Sequence, residues 1–191
     1  MSWPIRLVLL PWLALFALAN TAAPLSFTLD AMGSDVTAKV AFFGLASKTA
    51  RFPEMEGTVQ IVPGEPERAV IDVTFDATAL EAPDRTTLRR LRGEKFFWVE
   101  RYPEIRFVGR SLKLESATRG IVAGELTARG VTLPQVLNVE FDRDPLTASP
   151  GEAIGFTGEM TIDRRDYGMK SYQIIVGNKV DISLRARMVP G

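Results

Sequence analysis

From residue 25 onward, apolar and polar residues alternate with a period of two. The clearest run is "KVDISLRARM", where Val180, Ile182, Leu184, Ala186 and Met188 share one side and Lys179, Asp181, Ser183, Arg185 and Arg187 share the other. A strand with one face buried and one in water gives this pattern. "VIDVTFD" repeats it with Ile71, Val73 and Phe75 against Asp72, Thr74 and Asp76, and "VLNVEFD" with Leu137, Val139 and Phe141 against Asn138, Glu140 and Asp142. Noisier runs of the same kind are "SFTLDA", "DVTAKVAFF", "GTVQIV", "IRFVGRSLKL", "GIVAGELTA" and "AIGFTGEMTI", several separated by turn formers such as "PGEPE" and "SPGE". About eight to ten strands of this kind must hide their dry faces together, as a sandwich or as a closed barrel. A parallel α/β sheet is disfavoured, because its strands are apolar on both faces.

One stretch breaks the alternation. "APDRTTLRRLRG" opens with Asp84 as an N-cap, carries Leu88 and Leu91 at helical spacing and stops at Gly93, which predicts a short helix over 84–92 across one end of the sheet. The run "EKFFWVERYP" follows, with Phe96, Phe97, Trp98 and Tyr102 close together. Such rings either line a cavity mouth or cap the core beneath the helix. Arg85, Arg89, Arg90 and Arg92 form a basic cluster, read as a solvated helix face or as a site for an anionic head group or an acidic membrane surface.

Composition narrows the chemistry. The chain of 191 residues has 23 basic and 23 acidic side chains, no histidine and no cysteine. Charge balance argues against a nucleic-acid partner. Without histidine or cysteine, Ser-His-Asp and Cys-His catalysis and His- or Cys-ligated metal sites are excluded, and no cofactor or metal is expected. Carboxylate and tyrosine chemistry remains, and its best candidates are Asp163, Asp166 and Tyr167 in "TIDRRDYGM". Arg164 and Arg165 lie between the two carboxylates and would depress both pKa values, which suits a salt-bridged corner better than a general acid.

The N-terminus reads as a secretory signal. Arg6 precedes the uncharged run "LVLLPWLALFALA", and "ANTAAP" supplies small residues, so cleavage is expected near Ala19 or Ala23, with residues 1–23 removed and a single domain left over 24–191. The expected destination is the periplasm.

Three motifs occur in order: "LRGEKFFWVERYPEIRF" at 91–107, "GELTARGVTLP" at 124–134 and "IDRRDYGM" at 162–169. With "SFTLD", "ARFPEMEGTV" and "VGNKVDISL" around them, the chain resembles the YceI-like family of secreted bacterial lipid-binding barrels. The resemblance implies an all-β, lipocalin-like antiparallel β-barrel of about eight strands around an elongated apolar tunnel. It implies a polyisoprenoid or isoprenoid-quinone-type amphiphile as ligand, and a carrier rather than an enzyme. Family members often carry histidines where this chain has Gly33, Phe42 and Arg129, so polar contacts made by those histidines do not carry over. On this reading Phe42, Phe96, Phe97, Phe107, Phe156, Met160, Tyr167 and Met169 are the candidates for the apolar tail. Arg92 and Arg164 are the candidates for a head group. Transient contact with a membrane surface, a homodimer and a solid barrel acting as an interaction module stay open.

Overall fold

The structure is a computed structural model, described here for residues 23–149 and 151–191; the expected signal segment falls almost wholly outside them. Ten strands run in chain order: β1 (Leu25–Leu29), β2 (Asp35–Phe42), β3 (Ala46–Phe52), β4 (Met55–Ile61), β5 (Val70–Asp76), β6 (Glu104–Leu114), β7 (Arg119–Ala128), β8 (Val131–Phe141), β9 (Ile154–Asp163) and β10 (Val176–Pro190). One helix, α1 (Arg85–Arg92), lies between β5 and β6. All pairings are antiparallel, in the order β1-β4-β5-β6-β7-β8-β9-β10, and β10 pairs back onto β1, which closes an eight-stranded barrel.

The ten segments make eight staves because two staves are bent. β1 and β2 both pair with β10, interrupted by a 3-10 turn at 31–33, and β3 and β4 pair with β2 and β1 on either side of Pro53. Proline lacks the ladder N–H and interrupts a strand there. Beyond that bend β3 leaves β5. Among the described residues its outer edge meets only the single bridge Arg51–Glu81, and the barrel splits on this side.

Helix α1 sits at the same end. Asp84 is its N-cap, accepting from the Thr87 N–H at 2.8 Å, and Gly93 ends it, as the sequence predicts. Leu88 and Leu91 pack onto a core of Val36, Ala50, Phe52, Leu80 and Val99. Lys48 of β3 reaches Asp84 at 3.2 Å, pinning helix to split edge.

The barrel wall curves sharply where side chains are missing. A Cβ on Gly124 of β7 would lie 2.5 Å from the Val108 carbonyl oxygen and 2.8 Å from the Gly109 Cα, so only glycine permits this approach of β6 and β7. A bulge between Gly109 and Ser111 re-phases β6 at the same place, so that Phe107 before it and Leu112 after it both face inward.

The two ends of the barrel differ. At one lie the β2–β3 turn (43–45), the segment 77–103 with α1, the β7–β8 turn (129–130) and the β9–β10 loop (164–175). At the other, Ile61, Ala69, Leu112, Val122, Ile154 and Met188 are almost fully buried and close the bottom.

Candidate functional site

The barrel is hollow. Its interior holds a cavity of about 170 Å³, open at one end. One water needs roughly 10–15 Å³ of such volume, so the cavity is far larger than an ordinary packing defect.

The wall follows from the period-two pattern. Val36, Ala38 and Val40 of β2, Ile71, Val73 and Phe75 of β5, Leu137, Val139 and Phe141 of β8 and Val180, Ile182 and Leu184 of β10 all line it. Every lining residue is apolar except Lys48, Thr49, Thr87 and Arg164, and all four belong to the end carrying the helix. The cavity wall is thus apolar along its length, polar only at its rim and closed at the bottom. An apolar cavity stays dry and takes apolar occupants, which rules out the solid-barrel reading.

Of the tail candidates, Phe96, Phe97, Phe107, Phe156, Met160 and Met169 line the cavity. Phe97 meets Phe52 edge-on, with centroids 5.5 Å apart, between the helix segment and β3. Phe42 does not line it. It shares the inward side of β2 with Val36, Ala38 and Val40 but lies past the wall, against Phe43 at 4.7 Å and with the Lys48 ammonium 5.5 Å from its ring centre. Tyr167 is 0% exposed and packs in the main core. It is outside the lining, and its hydroxyl accepts a 3.0 Å hydrogen bond from the Gln135 amide.

The two head-group candidates are held by backbone. Arg92 donates to the Thr78 carbonyl at 2.6 Å and stays off the lining. Arg164 touches the cavity but is only 2% exposed. Its guanidinium donates to the carbonyls of Gly177 at 2.7 Å, Ser171 at 2.9 Å, Val176 at 2.9 Å and also Met169. It clamps the β9–β10 loop, and burial among these neutral acceptors lowers its pKa.

Asp163, the last residue of β9, is held in place by the cations beside it. Asp163 accepts from the Arg165 backbone N–H at 3.0 Å and from its guanidinium at 2.9 and 2.6 Å. Hydrogen bonding by Arg165, with Lys179 3.8 Å away, holds the Asp163 carboxyl well below the usual carboxylate range. It is ionised, unsuited to general-acid work, and neither it nor Asp166 lines the cavity. Among the described residues no group of histidine, cysteine or carboxylate side chains is arranged to hold a metal.

The positions where the family often has histidine also lie off the wall. Gly33 sits in the turn between β1 and β2, and Arg129 donates to the Gly168 carbonyl at 2.5 Å. The four non-glycine residues with left-handed backbone among the described ones, Phe43, Trp98, Arg129 and Tyr172, are all at the mouth end. Backbone of this kind collects at functional sites.

Aliphatic residues, which outnumber the rings on the wall, were absent from the sequence-based candidates. The signal was present: in a hollow barrel the inward positions of an alternating strand form the wall until the strand passes the rim.

The YceI-like domain family matches residues 27–188. The chain belongs to this family. UPF0312 proteins of Pseudomonas savastanoi and Pseudomonas syringae are 27% identical over 154 residues, covering 80% of this chain and 80% of each relative. BcnA of Burkholderia cenocepacia superposes with a TM-score of 0.73 at 20% identity, covering 83% of this chain and 98% of BcnA. A polyisoprenoid-binding domain from Saccharophagus degradans, implicated in plant cell wall breakdown, superposes with a TM-score of 0.65 at 16% identity, over 87% of this chain and 99% of that domain. These structures share the fold.

Proposed function

We propose that this YceI-like protein is a periplasmic carrier for a long apolar chain, a polyisoprenoid or isoprenoid-quinone-type amphiphile, held inside the barrel. The observation that carries the reading is the wall: an unbroken apolar lining from rim to blind end, with polar groups at the rim alone. A tail enters past Phe96 and Phe97 and its polar end stays beside Lys48, Thr49, Thr87 and Arg164. Each methylene removed from water contributes about 0.8 kcal/mol, so a tail of several isoprene units binds tightly without a dedicated polar site. Binding and release need no bond chemistry, which suits a chain whose loop carboxylate is locked by arginine. The polyisoprenoid-binding relative supports the ligand class, and the signal-like N-terminus supports export.

Purification without detergent, followed by native mass spectrometry and lipid extraction, tests this. The expected result is an adduct of discrete mass that extracts as a prenyl lipid. Protein that is empty after gentle extraction, and stays empty when mixed with prenyl lipids, overturns the reading.

A further inference from the structure

The mouth end carries exposed apolar tips that the barrel core does not use. Leu45 in the β2–β3 turn and Ile174 in the β9–β10 loop are each 99% exposed, and Phe43 is 63% exposed. The two loops are joined, because the Phe43 N–H donates to the Ile175 carbonyl at 2.8 Å. Phe43 holds φ 53° beside Gly44 at φ 69°, an unfavourable backbone for a bulky ring that presents the ring to solvent.

Cations gather on Tyr172 of the same β9–β10 loop. Tyr172 stacks on Phe96 with centroids 6.0 Å apart, the Lys95 ammonium lies 5.4 Å from the Tyr172 ring centre and the Arg90 guanidinium 6.0 Å from it. The segment 77–103 has six basic and four acidic residues, and 164–175 has three basic and one acidic. The turns at the opposite end, 62–69 and 142–153, have two basic and five acidic. A chain of zero net charge is thus polarised along the barrel axis, with its positive end at the mouth.

We infer that this face docks on an anionic lipid bilayer, with Leu45, Phe43 and Ile174 inserted among the acyl chains and Arg90, Lys95 and Lys170 at the headgroup phosphates. Isolated apolar side chains on loop tips, accompanied by lysine and arginine, match an interface that is greasy below and anionic above. A folded protein partner would be met by a flatter patch with pockets. The orientation points the cavity mouth at the membrane. The docking rests on surface residues and does not depend on what fills the cavity.

The test uses vesicles of equal parts phosphatidylcholine and phosphatidylglycerol, with phosphatidylcholine alone for comparison. Binding is expected on the mixed vesicles and weakened by salt. The double substitution Leu45→Asp with Ile174→Asp, on fully exposed side chains, is expected to weaken it at least tenfold, as is Arg90→Glu with Lys95→Glu. A tryptophan introduced by Leu45→Trp is expected to be quenched by brominated lipid, above the wild-type background, whereas one introduced by Val136→Trp on the outer barrel wall is not. That readout reports the docked face whatever other segment touches the vesicle. Equal quenching at the two positions, unchanged binding of the double variants, or self-association through this face with no vesicle binding overturns the inference.

Discussion

Ala38 gives the sharpest way to separate a ligand in the barrel from one bound elsewhere. It lies near the middle of β2, opposite Ile182 of β10 and Ala50 of β3, and its methyl faces the cavity. Ala38→Trp places an indole in that space. A tryptophan buries some 150–250 Å², enough to displace at least one five-carbon isoprene unit from the cavity. At about 0.8 kcal/mol per carbon that is about 4 kcal/mol, close to a thousandfold in affinity. The fold has an existing void to receive the ring, so destabilisation should not exceed the roughly 1–3 kcal/mol typical of overpacking. Lys39→Trp, on the exposed outer face of the same strand, is the control. Competition against a dansyl-labelled farnesyl probe reads the affinity, and urea denaturation reads the stability. An Ala38→Trp protein that is folded, has its indole buried and binds the probe as the wild type does would refute the reasoning, because the ligand would then lie outside the barrel.

Arg164→Leu strands four carbonyls, two in the β9–β10 loop and two at the start of β10, and should lower stability by at least about 3 kcal/mol, read by urea denaturation, with hydrogen exchange rising over 164–177. Asp163 has a folded pKa depressed by Arg165, so its contribution is complete above the ordinary carboxylate value of about 4 and is lost as pH falls through the folded one. The urea midpoint should therefore drop more steeply in acid for the wild type than for Asp163→Asn. Gly124→Ala drives a methyl to 2.5 Å from the Val108 oxygen, and thermal denaturation should show a loss of at least about 1–3 kcal/mol, with hydrogen exchange increased along β6 and β7.

The alternating strands were legible in the sequence because a one-sided sheet writes its burial directly into the chain. Ile71, Val73 and Phe75, and Leu137, Val139 and Phe141, face inward as the period demands. The helix was legible because Asp84 and Gly93 are local signals. The split between β3 and β5 was not, since it arises from one proline between two strands that also occurs harmlessly in turns. Arg164 shows a different limit. A charged residue beside an apolar run suggests a head-group contact, but the carbonyls of residues 169, 171, 176 and 177 converge on it only once the loop has closed. Phe42 has the right parity and the wrong depth, which depends on where β2 passes the rim. The exposure of Leu45 and Ile174 is likewise tertiary, since both sit in apolar stretches that could equally have been buried.

The most direct test of the apolar wall is a chain-length series of prenyl alcohols, from geraniol through farnesol to geranylgeraniol and longer, measured by competition at constant conditions. The account requires the binding free energy to grow with each added unit, at an increment approaching about 4 kcal/mol for five carbons, until the blind end is reached and the affinity levels off. Affinity that is indifferent to chain length, and set by the head group alone, would contradict it.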